Sequence, residues 1–392
     1  MLGPTLIFDK SFLQMLSPDE VSELSKYFIF ASTPQLVQEI IADLKKEATS
    51  KDRIPEDVVK ALASKMLVVH GLQPAEYRML AISNLCCTTD VPMCGQVPVD
   101  ARAPNVAVTK DGRGTVYDAM PVQNMWRRWA NGDFTTEEEG DAVAWRETLR
   151  MLDLVTLSKQ WQKFAGEHFP AASAASNLQD LLARVNAMLD DFNPRVQEEL
   201  LRLLIGLLES PWPQSKLTMA LFKAGLMPRI KDLAPYAASV MRLHLTFMIG
   251  LGRGFIGPRS SHIVDLEYLF YAPFCSVFVS ADKLHRTLWP ATSGINSFVW
   301  GPDLKNELQQ RVEAHATKTD RKTISRPFPT FPGTHLPGSI IEKMWGIYFN
   351  ATNREKTRSR SDRPETIEDL EPEIRENLEE AQRLFDAMDH NR

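Results

Sequence analysis

The stretch 262–285, HIVDLEYLFYAPFCSVFVSADKLH, constrains this chain more than any other. Its first half sets Asp265 in an apolar helical pattern, and 276–280 is short and apolar enough for a buried strand. A second acid, Asp282, stands just beyond that strand. The 17 positions from Asp265 to Asp282 suit one helix plus one strand. Both carboxylates can then arrive at one edge of a sheet, and the carboxyl ends of strands are where open α/β sheets place their sites.

The chain has 392 residues, which suits one elaborated domain or two. Its 44% hydrophobic and 24% charged residues are those of an ordinary globular protein. A formal net charge of −5 excludes a generally basic nucleic-acid coat but leaves room for a local basic groove. The opening MLGPTLIFDKSF lacks the basic and long apolar regions of a signal peptide. Arg242 and His244 interrupt the longest apolar run, 239–251, so no membrane span is expected and the location expected is cytoplasmic. Cys86, Cys87, Cys94 and Cys275 form no C-x-x-C pair. They read as reduced thiols in preference to a zinc site or a disulfide framework.

Taken in order, residues 5–8 form a buried strand ending at Asp9, with Lys10 and Ser11 next. Ser17, Pro18 and Glu20 give a capped helix start, and 27–31 is aromatic and apolar enough for a second strand. Thr33 and Pro34 open another helix, expected to run to about Leu44, with Glu39 in its amino-terminal half. Residues 52–234 read as a mainly helical insertion carrying one small β hairpin at 106–117. An apolar helix over 235–249 precedes the loop 250–257, GLGRGFIG. That loop matches a dinucleotide fingerprint by letter, but a helix stands where the strand should be. Residues 296–300 form a last strand, 303–350 an extension, and 351–392 a charged tail. Within the tail, 371–389 carries a helical apolar stripe suited to a protein partner or to self-association.

The outline is strand and Asp9, strand, helix with Glu39, insertion, helix with Asp265, strand and Asp282, strand. With TLIFDKSF at 5–12, TPQLVQEI at 33–40 and DLEYLFYA…VFVSAD at 265–282, the chain resembles the PIN-domain family of metal-dependent nucleases, which includes many bacterial toxin ribonucleases. The resemblance covers about residues 4–50 and 236–302. It implies a three-layer, PIN-like (Rossmann-like) α/β fold with a central, mostly parallel sheet interrupted by the insertion. It also implies that Asp9, Glu39, Asp265 and Asp282 hold Mg²⁺ or Mn²⁺, Asp9 and Asp282 as the preferred inner ligands and Glu39 and Asp265 directly or through water, with Ser11 and Ser280 orienting them. The activity implied is endonucleolytic hydrolysis of phosphodiester bonds leaving a 5′-phosphate, on RNA in preference to DNA.

Hard oxygen ligands suit those two ions, and a divalent cation relieves the repulsion of crowded carboxylates. Lys10, Arg253, Arg259, His262, Lys283 and Arg286 are the candidates for holding substrate phosphate. Each acid also has an ordinary reading as a cap, a turn residue or a solvated flank. The competing expectation is therefore a catalytically inactive PIN-like scaffold that binds a partner; a nucleotide-binding protein using loop 250–257 stands behind it.

Overall fold

The computed structural model describes residues 3–46, 54–69, 71–86, 91–100, 106–108, 115–117, 120–209, 229–292, 297–316, 329–332 and 336–351. Seven strands are present among them: β1 (Thr5–Phe8), β2 (Ile29–Ala31), β3 (Gly71–Leu72), β4 (Val106–Val108), β5 (Thr115–Tyr117), β6 (Val277–Ser280) and β7 (Ser297–Trp300). Five make one sheet in the order β3-β2-β1-β6-β7, and every pairing in it is parallel. β4 and β5 form a separate antiparallel pair, as the hairpin pattern at 106–117 predicts. The rest is mostly helical, so the chain has an α/β fold.

β1 and β6 are buried along their whole length, which is why both read as unbroken apolar runs without alternation. The order matters for function. From β1 the chain builds outward through β2 to β3; it then returns to the other side of β1 with β6 and continues to β7. The direction of winding therefore reverses between β1 and β6, and an open parallel sheet has its crevice at such a switch, outside the carboxyl ends. Asp9 follows β1 and Asp282 lies just beyond β6, on the two sides of that crevice.

Local signals set the first elements. Ser17 and Glu20 form a reciprocal capping box on the Pro18–Ser25 helix, and Thr33 caps Pro34–Ile41. That second helix ends earlier than its apolar stripe suggests, because a 3₁₀ turn, Ala42–Lys45, takes over. Glu39 consequently lies in its last turn, not in its amino-terminal half. Within the helical segment, the Thr136–Met151 helix ends where Asp153 caps a second one, Leu154–His168.

The sheet also reaches into the segment read as an insertion. β3 pairs with β2 through Phe30 and Gly71, and two residues leave no periodicity to detect. Beyond β7, the Gly301–Ala316 helix packs on Pro18–Ser25 and on β7. Lys305 reaches Glu20 at 3.1 Å, and buried Arg311 bonds Glu307 and Ser339, so this stretch is built into the same body as the sheet. The tail 371–389, the candidate partner-binding segment, lies outside the described residues.

The Pro235–Gly252 helix is buried on nearly all sides and packs on Tyr77–Leu85, Leu154–His168 and Leu178–Asp190. A helix apolar all round belongs in an interior. It overruns the predicted end at 249, so Gly250 and Gly252 are helical, and the loop begins only afterwards. A helix carboxyl terminus presents carbonyl oxygens and a negative dipole end, the wrong polarity for a dinucleotide phosphate.

This helix has no cap from its own N-cap residue. The buried Asn84 side chain supplies one from a distance: its Oδ1 accepts from the Tyr236 and Ala237 amides at 3.0 and 3.3 Å. Asn84→Ala should destabilise the protein by about 1–2 kcal/mol. The check is the urea midpoint, with an unchanged slope.

Candidate acid cluster at the carboxyl edge of the sheet

Asp9 is almost fully buried, at 3% exposure, and both oxygens of its carboxylate accept hydrogen bonds. Oδ1 accepts the Phe12 amide at 3.0 Å, which caps a short helix, Lys10–Met15, absent from the sequence-based outline. Oδ2 accepts the Ser11 and Ser280 hydroxyls, each at 2.7 Å. Ser11 also accepts the Ala281 amide at 3.3 Å, so one hydroxyl fastens the end of β1 to the end of β6.

His285 completes this junction. Its Nε2 is 2.7 Å from the Asp265 backbone carbonyl, a group that only accepts, so Nε2 carries a proton. Its Nδ1 is 2.7 Å from Ser280 Oγ and 3.4 Å from Asp9 Oδ2. Ser280 spends its single proton on Asp9 and accepts the Asp282 amide at 2.8 Å. Nδ1 must then donate to Ser280 Oγ, and His285 is an imidazolium. At 3.4 Å its relation to Asp9 is an ion pair; the shorter approach to Ser280 is the hydrogen bond.

Electrostatics agree with that proton count. Burial alone would raise the Asp9 pKa, but the His285 hydrogen bond and charge, with the Ser11 and Ser280 hydroxyls, hold it below the ordinary carboxylate value. Burial alone would lower the His285 pKa, but Asp9, then Asp265 and Asp282, lift it to about 9.

The other acids are less well matched. Asp282 caps the Lys283–Leu288 helix through the Leu284 amide at 2.6 Å. Glu39 accepts the Tyr268 hydroxyl at 2.7 Å and lies 3.8 Å from the Lys10 ammonium. Burial raises its pKa, and Asp9 and Asp43 add to that against Lys10 and Tyr268. Asp265 sits on the Ser261–Leu269 helix, and no donor among the described residues reaches its carboxyl group. Burial, reinforced by Asp282, Glu39 and Asp9 and opposed by His285, pushes its pKa up to about 7. The four acids named from the sequence therefore share one electrostatic neighbourhood.

The remaining candidates divide. Lys10 is turned inward onto both oxygens of Asp43, at 3.1 and 3.2 Å, where Arg146 also binds at 2.8 Å. Arg253 donates to the Ala175 carbonyl, in the helical region. Arg259, Lys283 and Arg286 are exposed, and none has a carboxylate partner among the described residues. His262 holds the Gly257 carbonyl at 2.7 Å through Nδ1, and burial lowers its pKa, so it is a neutral imidazole with Nε2 unprotonated. Glu267, two positions from Asp265, turns away to Gln35 and Tyr77.

His285, Tyr268, Asp43 and Arg146 are the contributors that sequence reasoning missed. A fully buried histidine at the third position of a six-residue helix has no signature beyond its apolar neighbours Leu284 and Leu288.

Chemically, the donors are the hard oxygens that Mg²⁺ and Mn²⁺ prefer. Charge points the same way: five carboxylates (Asp9, Glu39, Asp43, Asp265, Asp282) face three cations (Lys10, Arg146, His285). With every one of these groups charged, two negative charges would be left over. The positions are less accommodating, because among the described residues no three His, Cys, Asp or Glu side chains stand together closely enough to hold a metal ion.

Removing His285 leaves a buried carboxylate without its counter-charge, so His285→Ala should cost about 3–5 kcal/mol. The pH dependence follows from the sign of the shift. His285, raised from 6.5 to about 9, stabilises fully below its ordinary value, and that contribution fades as pH rises through 9. Asp9, held below its ordinary 3.8, contributes above that value and loses its contribution as pH falls through its folded value. Urea unfolding across pH should show both limbs, the alkaline one missing in His285→Gln.

No known family model, curated protein or solved structure matches this chain.

Proposed function

We propose that the chain is a PIN-like, divalent-cation-dependent nuclease acting on RNA in preference to DNA. The observation that carries this reading is the unbalanced negative charge at the β1/β6 switch, where acids from both halves of the chain meet. A carboxyl group raised to about 7 with no hydrogen-bond donor is poor structural design. Such groups cluster at functional sites. The strand order and the acids at the strand ends also support the finer reading of the fold as PIN-like.

Asp265, Glu39 and Asp282 would hold the ion, the first two being acids whose ionisation burial and neighbouring carboxylates resist. Asp9 is the fixed member, held by Ser11, Ser280 and His285, and its role leans toward setting the positions of the others. The bound ion would supply a more acidic water and neutralise charge on the phosphodiester. The protein's own groups do the rest. Tyr268 fixes one oxygen of Glu39, His285 joins the Asp265 helix to β6, and the unpaired Arg259, Lys283 and Arg286 face solvent where a phosphate chain would approach.

One observation favours a second reading, a catalytically idle PIN-like scaffold. The His285 imidazolium already neutralises Asp9, and the acids do not converge on one point. Such a protein would keep the fold and bind a partner without hydrolysis.

Two measurements separate these readings. Mn²⁺ should raise the melting temperature of the wild type, more at pH 8 than at pH 6, because Asp265 must lose its proton to receive the ion. Asp265→Asn should stabilise the ion-free protein by about 1 kcal/mol, a figure discounted for its partial exposure, and abolish the Mn²⁺ shift. Incubated with single-stranded RNA and Mn²⁺, the wild type should release 5′-phosphate ends, and Asp265→Asn and Asp282→Asn should each cut the rate on the order of a hundredfold or more. Cleavage untouched by both substitutions would remove this site from the account. Binding without cleavage would establish the scaffold.

A further inference from the structure

Trp300 is the last residue of β7, in register with Ser280 of β6. Adjacent strands lie about 4.8 Å apart, so this indole is one strand away from the hydroxyl that holds Asp9. The next residue, Gly301, is pressed into the end of β6: a Cβ there would meet the Phe12 ring at 2.8 Å and the Ala281 nitrogen at 3.3 Å. The Gly301–Ala316 helix begins directly after the indole, so Trp300 stands at the carboxyl end of its strand, level with Ser280.

The indole ends an aromatic row. Phe278, Trp289 and Phe298 pack together with centroids 5.6–6.4 Å apart, and Trp300 lies 6.5 Å from Phe298. Phe278 belongs to the core, Trp289 and Phe298 are partly buried against it, and Trp300 is half-buried. Its indole N–H has no protein partner among the described residues and is not sealed away from solvent. Above the ring sits Arg286, its guanidinium carbon 5.5 Å from the centroid. Arg286 is exposed and has no carboxylate partner among the described residues, nor has Lys283, three residues earlier on the same helix. Many other surface cations of this chain are paired with acids, Arg184, Arg202 and Arg229 among them.

An aromatic face with unpaired cations beside it, at the margin of an acid cluster, is the combination that receives an unpaired nucleotide. The ring takes the base by stacking and the cations take the flanking phosphates. Resting on the nuclease reading above, we propose that Trp300 is the base-stacking platform of the site and that Arg286, with Lys283, holds the phosphate of the stacked nucleotide. An exposed cation–π interaction is weak enough to yield when a base arrives. A base paired within a duplex cannot present its face to the indole, so the platform selects single strands.

The test measures affinity apart from hydrolysis, in an Asp265→Asn background, by fluorescence anisotropy with labelled oligouridylate, oligodeoxythymidylate and a duplex. Trp300→Leu should weaken single-strand binding roughly tenfold, Trp300→Phe should restore most of it, and the duplex should bind poorly in every variant. Lys283→Ala combined with Arg286→Ala should flatten the salt dependence by about one unit of slope for each phosphate left without its cation. Unchanged affinity in Trp300→Leu, with the fold verified by circular dichroism, would overturn the platform, as would duplex bound as tightly as single strands. RNA and DNA bound equally would support the platform and assign any RNA preference to another group. If Trp300 governs binding but the wild type cleaves nothing, the platform stands and the hydrolytic reading falls; cleavage with a silent Trp300→Leu means the reverse.

Discussion

Everything at the carboxyl edge of the sheet depends on one buried junction, in which Asp9, Ser280 and His285 meet through short hydrogen bonds. Asp9 belongs to the start of the chain and the other two to a point more than two hundred residues later. Between them the chain builds β2, β3 and most of its helices, yet β1 and β6 end as parallel neighbours. Apolar burial along the two strands supplies the attraction but not the discrimination. Discrimination comes from polar groups that would be costly to bury alone, since a buried carboxylate without a counter-charge is strongly destabilising. The imidazolium of His285 answers Asp9 and also ties the Asp265 helix to β6 through a backbone carbonyl.

That same junction divides the acids into two kinds. Asp9 is ionised and satisfied; Asp265 and Glu39 sit where burial and neighbouring carboxylates resist their ionisation. Lys10 is shared between Asp43 and Glu39, and Arg146 is drawn to Asp43. The outcome is a rigid, neutralised inner side and an outer side short of positive charge. A hard divalent ion and the retained proton on Asp265 are the two ways to satisfy the outer side. This is the physical content of the nuclease proposal, and it places the weight on Asp265 more than on Asp9.

Much of this was legible in residue order. β1 and β6 announce themselves as short apolar runs ending in acids, Ser17 and Thr33 as caps, and the 106–117 hairpin by its turn-flanked pattern. Of the residues the motif implicated, Asp9, Ser11, Ser280 and Asp282 lie at the ends of β1 and β6, and Glu39 and Asp265 act on them electrostatically from flanking helices, without the acids closing into a metal-holding group among the described residues. Other features were hidden for identifiable reasons. β3 is two residues long and contributes only backbone pairing. The Lys10–Met15 helix is a single short stretch whose start depends on Asp9, a residue already assigned another role. His285 looks like any histidine until folding surrounds it with acids, and Lys10 looks like a free cation until Asp43 is brought beside it. Long-range electrostatics is a property of the folded arrangement, and one-dimensional spacing carries little of it.

On the nuclease proposal, the edge is one divalent cation short. Calorimetric titration of the protein with Mn²⁺ near pH 7, repeated in two buffers of different ionisation enthalpy, tests it most directly. If Asp265 holds its proton with a pKa of about 7, ion binding should release on the order of half a proton from that group, and the two buffers should give different apparent heats. Asp265→Asn should remove that difference together with the binding. Saturable Mn²⁺ binding with no buffer dependence, or no binding at all, would contradict the account.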